Sequence, residues 1–161
     1  MEVEMKIRGL MMDPTTSMPI VILKDVGSNT VLPIWVGIYE ANAIALEIEK
    51  VSTPRPMTHD LMKSLLVGLH TGVRKVVVSE LKEDTFFALI WLEREGELIS
   101  VDSRPSDALA LALRLDCPIF VEDTVLKSSK LTASVSDKAN NEELRRWLEG
   151  LNDEDLGRYK M

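Results

Sequence analysis

Residues 107–114 read DALALALR, and the six residues Ala108–Leu113 carry no polar side chain on any side of a helix. A helix that is apolar all round cannot lie on a surface, so other elements must enclose it. The segments on either side, ELISVD (97–102) and PIFVE (118–122), have the composition and length of strands. Strand, buried helix and strand in that order are compatible with one right-handed crossover that returns the chain to the same sheet.

The remaining elements follow from periodicity. Residues 2–8 alternate Val3, Met5 and Ile7 with Glu2, Glu4, Lys6 and Arg8, the pattern of a half-buried strand. PIVILKDV (19–26) and TVLPIWV (30–36) flank a turn and read as a hairpin, with Pro33 marking an edge or an irregularity. GIYEANAIALEIEK (37–50) reads as a helix with Ile38, Ala41, Ala45 and Ile48 on one stripe, and THDLMKSLLVGL (58–69) as a second, with Thr58 as N-cap. RKVVVSEL (74–81) and TFFALIWLE (85–93) read as strands, the second apolar on both faces and therefore central. Residues 128–141 are rich in small and polar side chains and read as a linker or surface loop. The last twenty residues read as a helical tail anchored by Leu144, Trp147, Leu148 and Leu151.

A chain of 161 residues can bury one core. It has no apolar run long enough to cross a membrane, no signal-peptide pattern and a single cysteine, so a cytoplasmic protein without a membrane partner is expected. The net charge of −7 argues against a free-standing nucleic-acid binder held by a broad basic face, but permits a local basic site. Phosphate-binding glycine loops, Cys/His zinc sets and serine-nucleophile elbows are missing from the sequence, and no organic cofactor is expected.

Chemistry concentrates at the helix starts. VDSRPSDALALALR (101–114) and TPRPMTHDLMKSLL (53–66) each place Arg-Pro, a hydroxyl residue and an aspartate before an apolar run. With Glu40 they supply Arg55, Thr58, His59, Asp60, Asp102, Arg104, Ser106 and Asp107. One reading is structural: Thr58 or Ser106 caps a helix, the acidic residues favour the positive helix ends, and Arg55 and Arg104 are bidentate partners of those carboxylates. The other starts from the cost of an arginine at a positive helix end, which falls when an anion binds there. In that reading Arg55 and Arg104 hold phosphate, His59 transfers protons, and the carboxylates act as bases or hold a divalent cation.

Three of these segments, LPIWVGIYEANAIALEIE, PRPMTHDL and DSRPSDALALALR, resemble the bifunctional nuclease (BFN) domain family, over about residues 3–127. The resemblance implies an α+β fold with a mixed, largely antiparallel sheet and about three packed helices. Residues 1–127 would form the domain, and 128–161 a linker and short C-terminal helical tail. It also implies self-association and nuclease activity on DNA and RNA, with Glu40, Arg55, His59, Asp60, Asp102, Arg104 and Asp107 at the family's motif positions. The expectation for mechanism is a metal-assisted phosphodiesterase with Mg2+ or Mn2+ on Asp60, Asp102 and Asp107. The rival is a non-enzymatic oligomeric binding or regulatory module whose Arg/Asp network is structural or binds a small anion. A homo-oligomer is expected separately from the strand pattern at 2–8 and the small-residue helix at 41–45, both of which suit pairing with a second copy.

Overall fold

The computed structural model describes residues 1–136; the helical tail expected near the C-terminus lies outside the described residues. Seven strands form one sheet: β1 (Glu2–Met12), β2 (Pro19–Asp25), β3 (Val31–Trp35), β4 (Gly72–Lys82), β5 (Thr85–Arg94), β6 (Glu97–Ser103) and β7 (Ile119–Glu122). Their order is β3-β2-β1-β7-β4-β5-β6. Every pairing is antiparallel except β4 with β7. The helices are α1 (Ile38–Ile48), α2 (Thr58–Gly68), α3 (Pro105–Leu115) and α4 (Asp123–Ser136). The fold class is α+β with a mixed, largely antiparallel sheet, and four helices stand among the described residues.

The apolar helix α3 is the centre of the helical layer. Ala108 through Ala112 are all within 1% of full burial, packed with Val76, Val78, Ala88 and Ile90 of the sheet. The helix joins β6 to β7 as the expected crossover, with β4 and β5 lying between the two strands it connects. On one side α3 meets α1, which lies over β1 and β2; α2 also rests on α3. Full burial of Leu109 and Leu111 contributes roughly 1.5–3 kcal/mol each, and the small alanines between them let the layers approach closely.

Four expectations are corrected. Strand β1 is no edge: β2 flanks it on one side and β7 on the other. Ala41 and Ala45 are buried within this chain, where α1 packs on α3, while Ile38 and Ile48 of the expected stripe are exposed and Ile44 takes the buried place. Both features that suggested a second copy are therefore satisfied internally. Residues 128–136 continue α4 instead of forming a linker. Strand β5 is internal, but only one of its faces, carrying Ala88 and Ile90, is fully buried. Pro33 does lie on an edge strand, β3, where its missing N–H costs no central ladder bond.

Candidate active site at three helix starts

Three helices begin the same way. Gly37, Met57 and Arg104 are the N-caps of α1, α2 and α3, all with extended backbone, and the third helical residue is in each case acidic: Glu40, Asp60 and Asp107. A carboxylate there meets the unpaired N–H groups of the first turn and the positive end of the helix dipole. Glu40 folds back to its own backbone N–H, and its carboxylate lies where a Cβ on residue 37 would stand, so a side chain there would push Glu40 aside. Asp60 accepts the Met57 N–H at 2.9 Å. Thr58 and Ser106 are therefore not caps: they are the first and second helical residues, and Asp60 makes the capping contact at α2.

The three starts are tied together by side chains. Arg104 donates to Asp107 from Nε at 3.0 Å and from Nη2 at 3.3 Å, and to Glu40 from Nη1 at 2.9 Å. Asp107 Oδ1 lies 2.9 Å from His59 Nε2. The result is a continuous chain Glu40–Arg104–Asp107–His59 that joins α1, α3 and α2. Arg104 is 63% exposed, whereas the His59 side chain is 11% exposed, so the chain runs from solvent inward.

The charges follow from these bonds. Glu40 is held below the usual carboxylate range by its own backbone N–H and by Arg104. Burial raises Asp107, but the hydrogen bonds from Arg104 and His59 outweigh it and the net shift is downward. Asp107 and then Glu40 raise the already high pKa of Arg104. With His59 neutral the four groups carry −1, −1, +1 and 0, a sum of −1. An ionised Asp107 accepts only, so Nε2 bears the proton and the Nδ1 lone pair is left open. Among the described residues no hydrogen bond engages Nδ1, and no unpaired side-chain nitrogen or oxygen is sealed from solvent. His59 is thus oriented by a carboxylate through one nitrogen and accessible through the other.

A second node lies alongside. Arg114, 4% exposed, donates from Nε to Asp60 at 2.8 Å, from Nη1 to the Ala110 carbonyl at 2.8 Å and from Nη2 to the Ala43 carbonyl at 3.0 Å. It therefore links all three helices beneath the site. Sequence reasoning did not nominate Arg114. The available signal was its place seven residues after Asp107, two turns along the same face of α3.

Two expected members stand apart. Asp102 on β6 pairs with Leu89 on β5, which pairs with Val77 on β4, whereas the row Val101–Ile90–Val76 faces α3. Side chains alternate along a strand, so Asp102 projects from the opposite face of the sheet. Arg55, in the segment before α2, is exposed and makes no ion pair among the described residues. Its backbone carbonyl accepts from Thr53 Oγ1, so the expected Arg55–carboxylate pair is not made. The expected metal set is not assembled: Asp102 is on the wrong face, Asp60 is turned to Arg114 and Asp107 to Arg104 and His59. No three potential ligands come together for a metal among the described residues. The three aspartates expected to share a divalent ion are thus held apart by their own partners. A broad groove of about 720 Å3 lies between Lys6, Arg8, Lys24 and the turn at Gly27–Asn29, and none of these site residues lines it.

Fold and motif positions define an α+β domain with a carboxylate–arginine–carboxylate–histidine chain at its helix starts. The sequence profile of the bifunctional nuclease domain matches residues 21–134. The chain belongs to the bifunctional nuclease domain family. It is 39% identical over 128 residues to an uncharacterized protein of Mycobacterium tuberculosis, covering 80% of this chain and 76% of that one. It is 29% identical over 115 residues to Bifunctional nuclease 1 of Oryza sativa subsp. indica (70% and 35% of the two chains). Over 124 residues it is 29% identical to Bifunctional nuclease 1 of Arabidopsis thaliana (74% and 38%). The matched region is thus little more than a third of either plant protein.

Proposed function

We propose that this protein is a phosphodiesterase that hydrolyses both DNA and RNA, with His59 as the proton-transfer group. The observation that carries the reading is the Asp107–His59 pair, which engages Nε2 and leaves Nδ1 without a hydrogen bond among the described residues. Water attacks phosphorus and gives its proton to Nδ1; the P–O bond to the leaving oxygen breaks, and the imidazolium returns the proton to that oxygen. Asp107 holds the tautomer and stabilises the imidazolium, as carboxylates do in other His-based sites. Water as nucleophile needs no 2′-hydroxyl, which suits both nucleic acids. Two carboxylates already occupy Arg104, so the phosphate anchor is Arg55, which makes no ion pair among the described residues, while Arg104 fixes the geometry.

The rival is a structural clamp or a small-anion module. It is favoured by the pairing of Arg104 and Arg114 to carboxylates, which leaves neither guanidinium free of them.

End-labelled single-stranded DNA and RNA, incubated with Mg2+, Mn2+ or EDTA, separate the two. The divalent-ion arms are included because the ion was expected on three aspartates that the fold keeps apart. On the nuclease reading His59→Ala lowers turnover by about 100-fold or more. Asp107→Asn moves the pH profile, Arg55→Ala raises KM with the melting temperature unchanged, and Arg104→Ala lowers both activity and melting temperature. Equal cleavage by wild type and His59→Ala would overturn the assignment and point to a contaminating enzyme. Absence of cleavage in every arm would favour the clamp.

A further inference from the structure

Strands β1 and β2 set two lysines face to face. Lys6 pairs directly with Lys24 in the antiparallel register. Like charges placed opposite one another destabilise a strand pair. Neither ammonium makes an ion pair among the described residues, and Glu4, two residues from Lys6 on the same face of β1, does not supply one. An irregularity adds a third cation. The register shifts between Ile7 and Gly9, so Arg8 is the extra residue of a β-bulge, a device that re-aims a side chain. All three cations line the groove of about 720 Å3 that the turn at Gly27–Asn29 borders.

The acidic residue in the lining is Asp25. Its Oδ1 accepts the Gly27 N–H at 2.8 Å and its Oδ2 the Ser28 hydroxyl at 2.7 Å, so this carboxylate is engaged in closing the turn. Three cations and one carboxylate leave the groove positive in a chain whose net charge is −7. Ile7 and Val26 are its apolar liners and no aromatic ring lines it, which suits neither base stacking nor a small apolar ligand. Met5 and Leu23, the neighbours of Lys6 and Lys24, belong to the core beneath the helices. Side chains alternate along a strand, so the two lysines project from the face opposite the helical layer that carries His59 and Arg104.

We propose that this groove is an exosite for the phosphodiester backbone of nucleic acid. The proposal rests on the reading of nucleic acid as the substrate, but it uses neither His59 nor Arg104. The phosphates held here are not the ones cleaved. They belong to a flanking stretch on the other face of the sheet, so the groove acts on substrate affinity and not on the chemical step. Recognition is by charge, through release of counterions, and is blind to sequence. The ligand supplies the anion that Lys6 and Lys24 lack, and so relieves their repulsion.

Fluorescence anisotropy of the full chain with a labelled phosphorothioate DNA single strand reads binding without cleavage. Lys6→Gln/Lys24→Gln should weaken binding about tenfold at low salt and reduce the slope of log Kd against log salt by about 1.4, at about 0.7 per phosphate contact. Lys6→Arg/Lys24→Arg should bind as wild type. Lys82→Gln/Lys127→Gln, which removes the same charge from exposed positions outside the groove, should leave the slope unchanged. The glutamine pair in the groove should melt no lower than wild type, and higher at low salt, because the facing charges are gone. In a cleavage assay it should raise KM and leave kcat unchanged. Binding indifferent to the groove variant, or weakened equally by both glutamine pairs, would overturn the proposal. So would displacement of the strand by inorganic phosphate at equal phosphate concentration, which marks a site for the free ion. If the groove variant loses binding while His59→Ala cleaves as wild type does, the exosite stands and the catalytic reading falls; the reverse pattern removes the exosite alone.

Discussion

Arg114 and Asp60 form one ion pair, yet removing one should not equal removing the other. Arg114 is 4% exposed and Asp60 is 36% exposed. Arg114→Met keeps most of the volume and deletes the charge with three hydrogen bonds. What remains is a carboxylate that still reaches water and still accepts the Met57 N–H. One charge-assisted bond at about 1.5–3 kcal/mol, discounted for Asp60's exposure, and two carbonyl contacts give a loss of about 2–3 kcal/mol. Asp60→Ala leaves a nearly sealed guanidinium with only carbonyl partners and removes the cap of α2. Stranding a buried charge costs about 3–5 kcal/mol, and the lost cap adds about 1. Asp60→Ala should therefore be the more damaging change although the aspartate is the more exposed residue. Urea unfolding followed by circular dichroism reads both, and for a chain of this size each kcal/mol lowers the melting temperature by about 2–4 °C. A double-mutant cycle should return a coupling of about 1–3 kcal/mol. If Arg114→Met is neutral, or costs more than Asp60→Ala, the burial asymmetry does not govern this pair.

Acid stability is a second test. Asp13 is buried, which raises its pKa, but the Thr15 hydroxyl and N–H and the Trp35 indole N–H overcome burial and hold it well below the ordinary range. Asp60, Asp107 and Glu40 are also lowered. A folded pKa below the unfolded value stabilises above about pH 4, and that contribution is lost as pH falls through the folded values. Unfolding free energy measured against pH should fall below that point, and Asp13→Asn should flatten the slope; an identical slope in the variant would refute the role of Asp13. Cys117 is pushed by burial up to about 11. Its alkylation at pH 8 should be about a hundredfold slower than that of a free cysteine, and rapid labelling of the folded protein would contradict this.

Local patterns were readable in the sequence where one element's own periodicity decides the outcome. The all-apolar run Ala108–Leu113 had to be enclosed, and Ala108–Ala112 are buried with Leu113 half-buried. Pro33 argued for an edge or an irregularity, and β3 lies at the end of the described sheet. Alternation along residues 2–8 reports a half-buried face, but it does not report whether both backbone edges are paired. That depends on β7, more than a hundred residues away. The same gap explains Asp102. Its spacing from Arg104 and Asp107 suggests a cluster, but the strand's two-residue period aims it through the sheet. Arg114, a cation in the last turn of its helix, carries no local pattern that points to a buried carboxylate partner. Its Asp60 partner lies 54 residues distant.

The arginines at the two helix starts finally separate into different roles. Arg104 is the N-cap of α3, where a positive charge opposes the dipole by a few tenths of a kcal/mol. Glu40 and Asp107, each the third residue of a helix, reverse that sign locally, so Arg104 needs no bound anion to be stable there. An incoming phosphate would meet two fixed carboxylates on the same guanidinium and would have to compete with both. Arg55 has no such partners among the described residues, and lies only four residues before His59. Two similar Arg-Pro stretches thus carry opposite consequences. One arginine fastens the helix starts that orient the histidine, and the other, four residues before that histidine in the chain, has no carboxylate partner among the described residues.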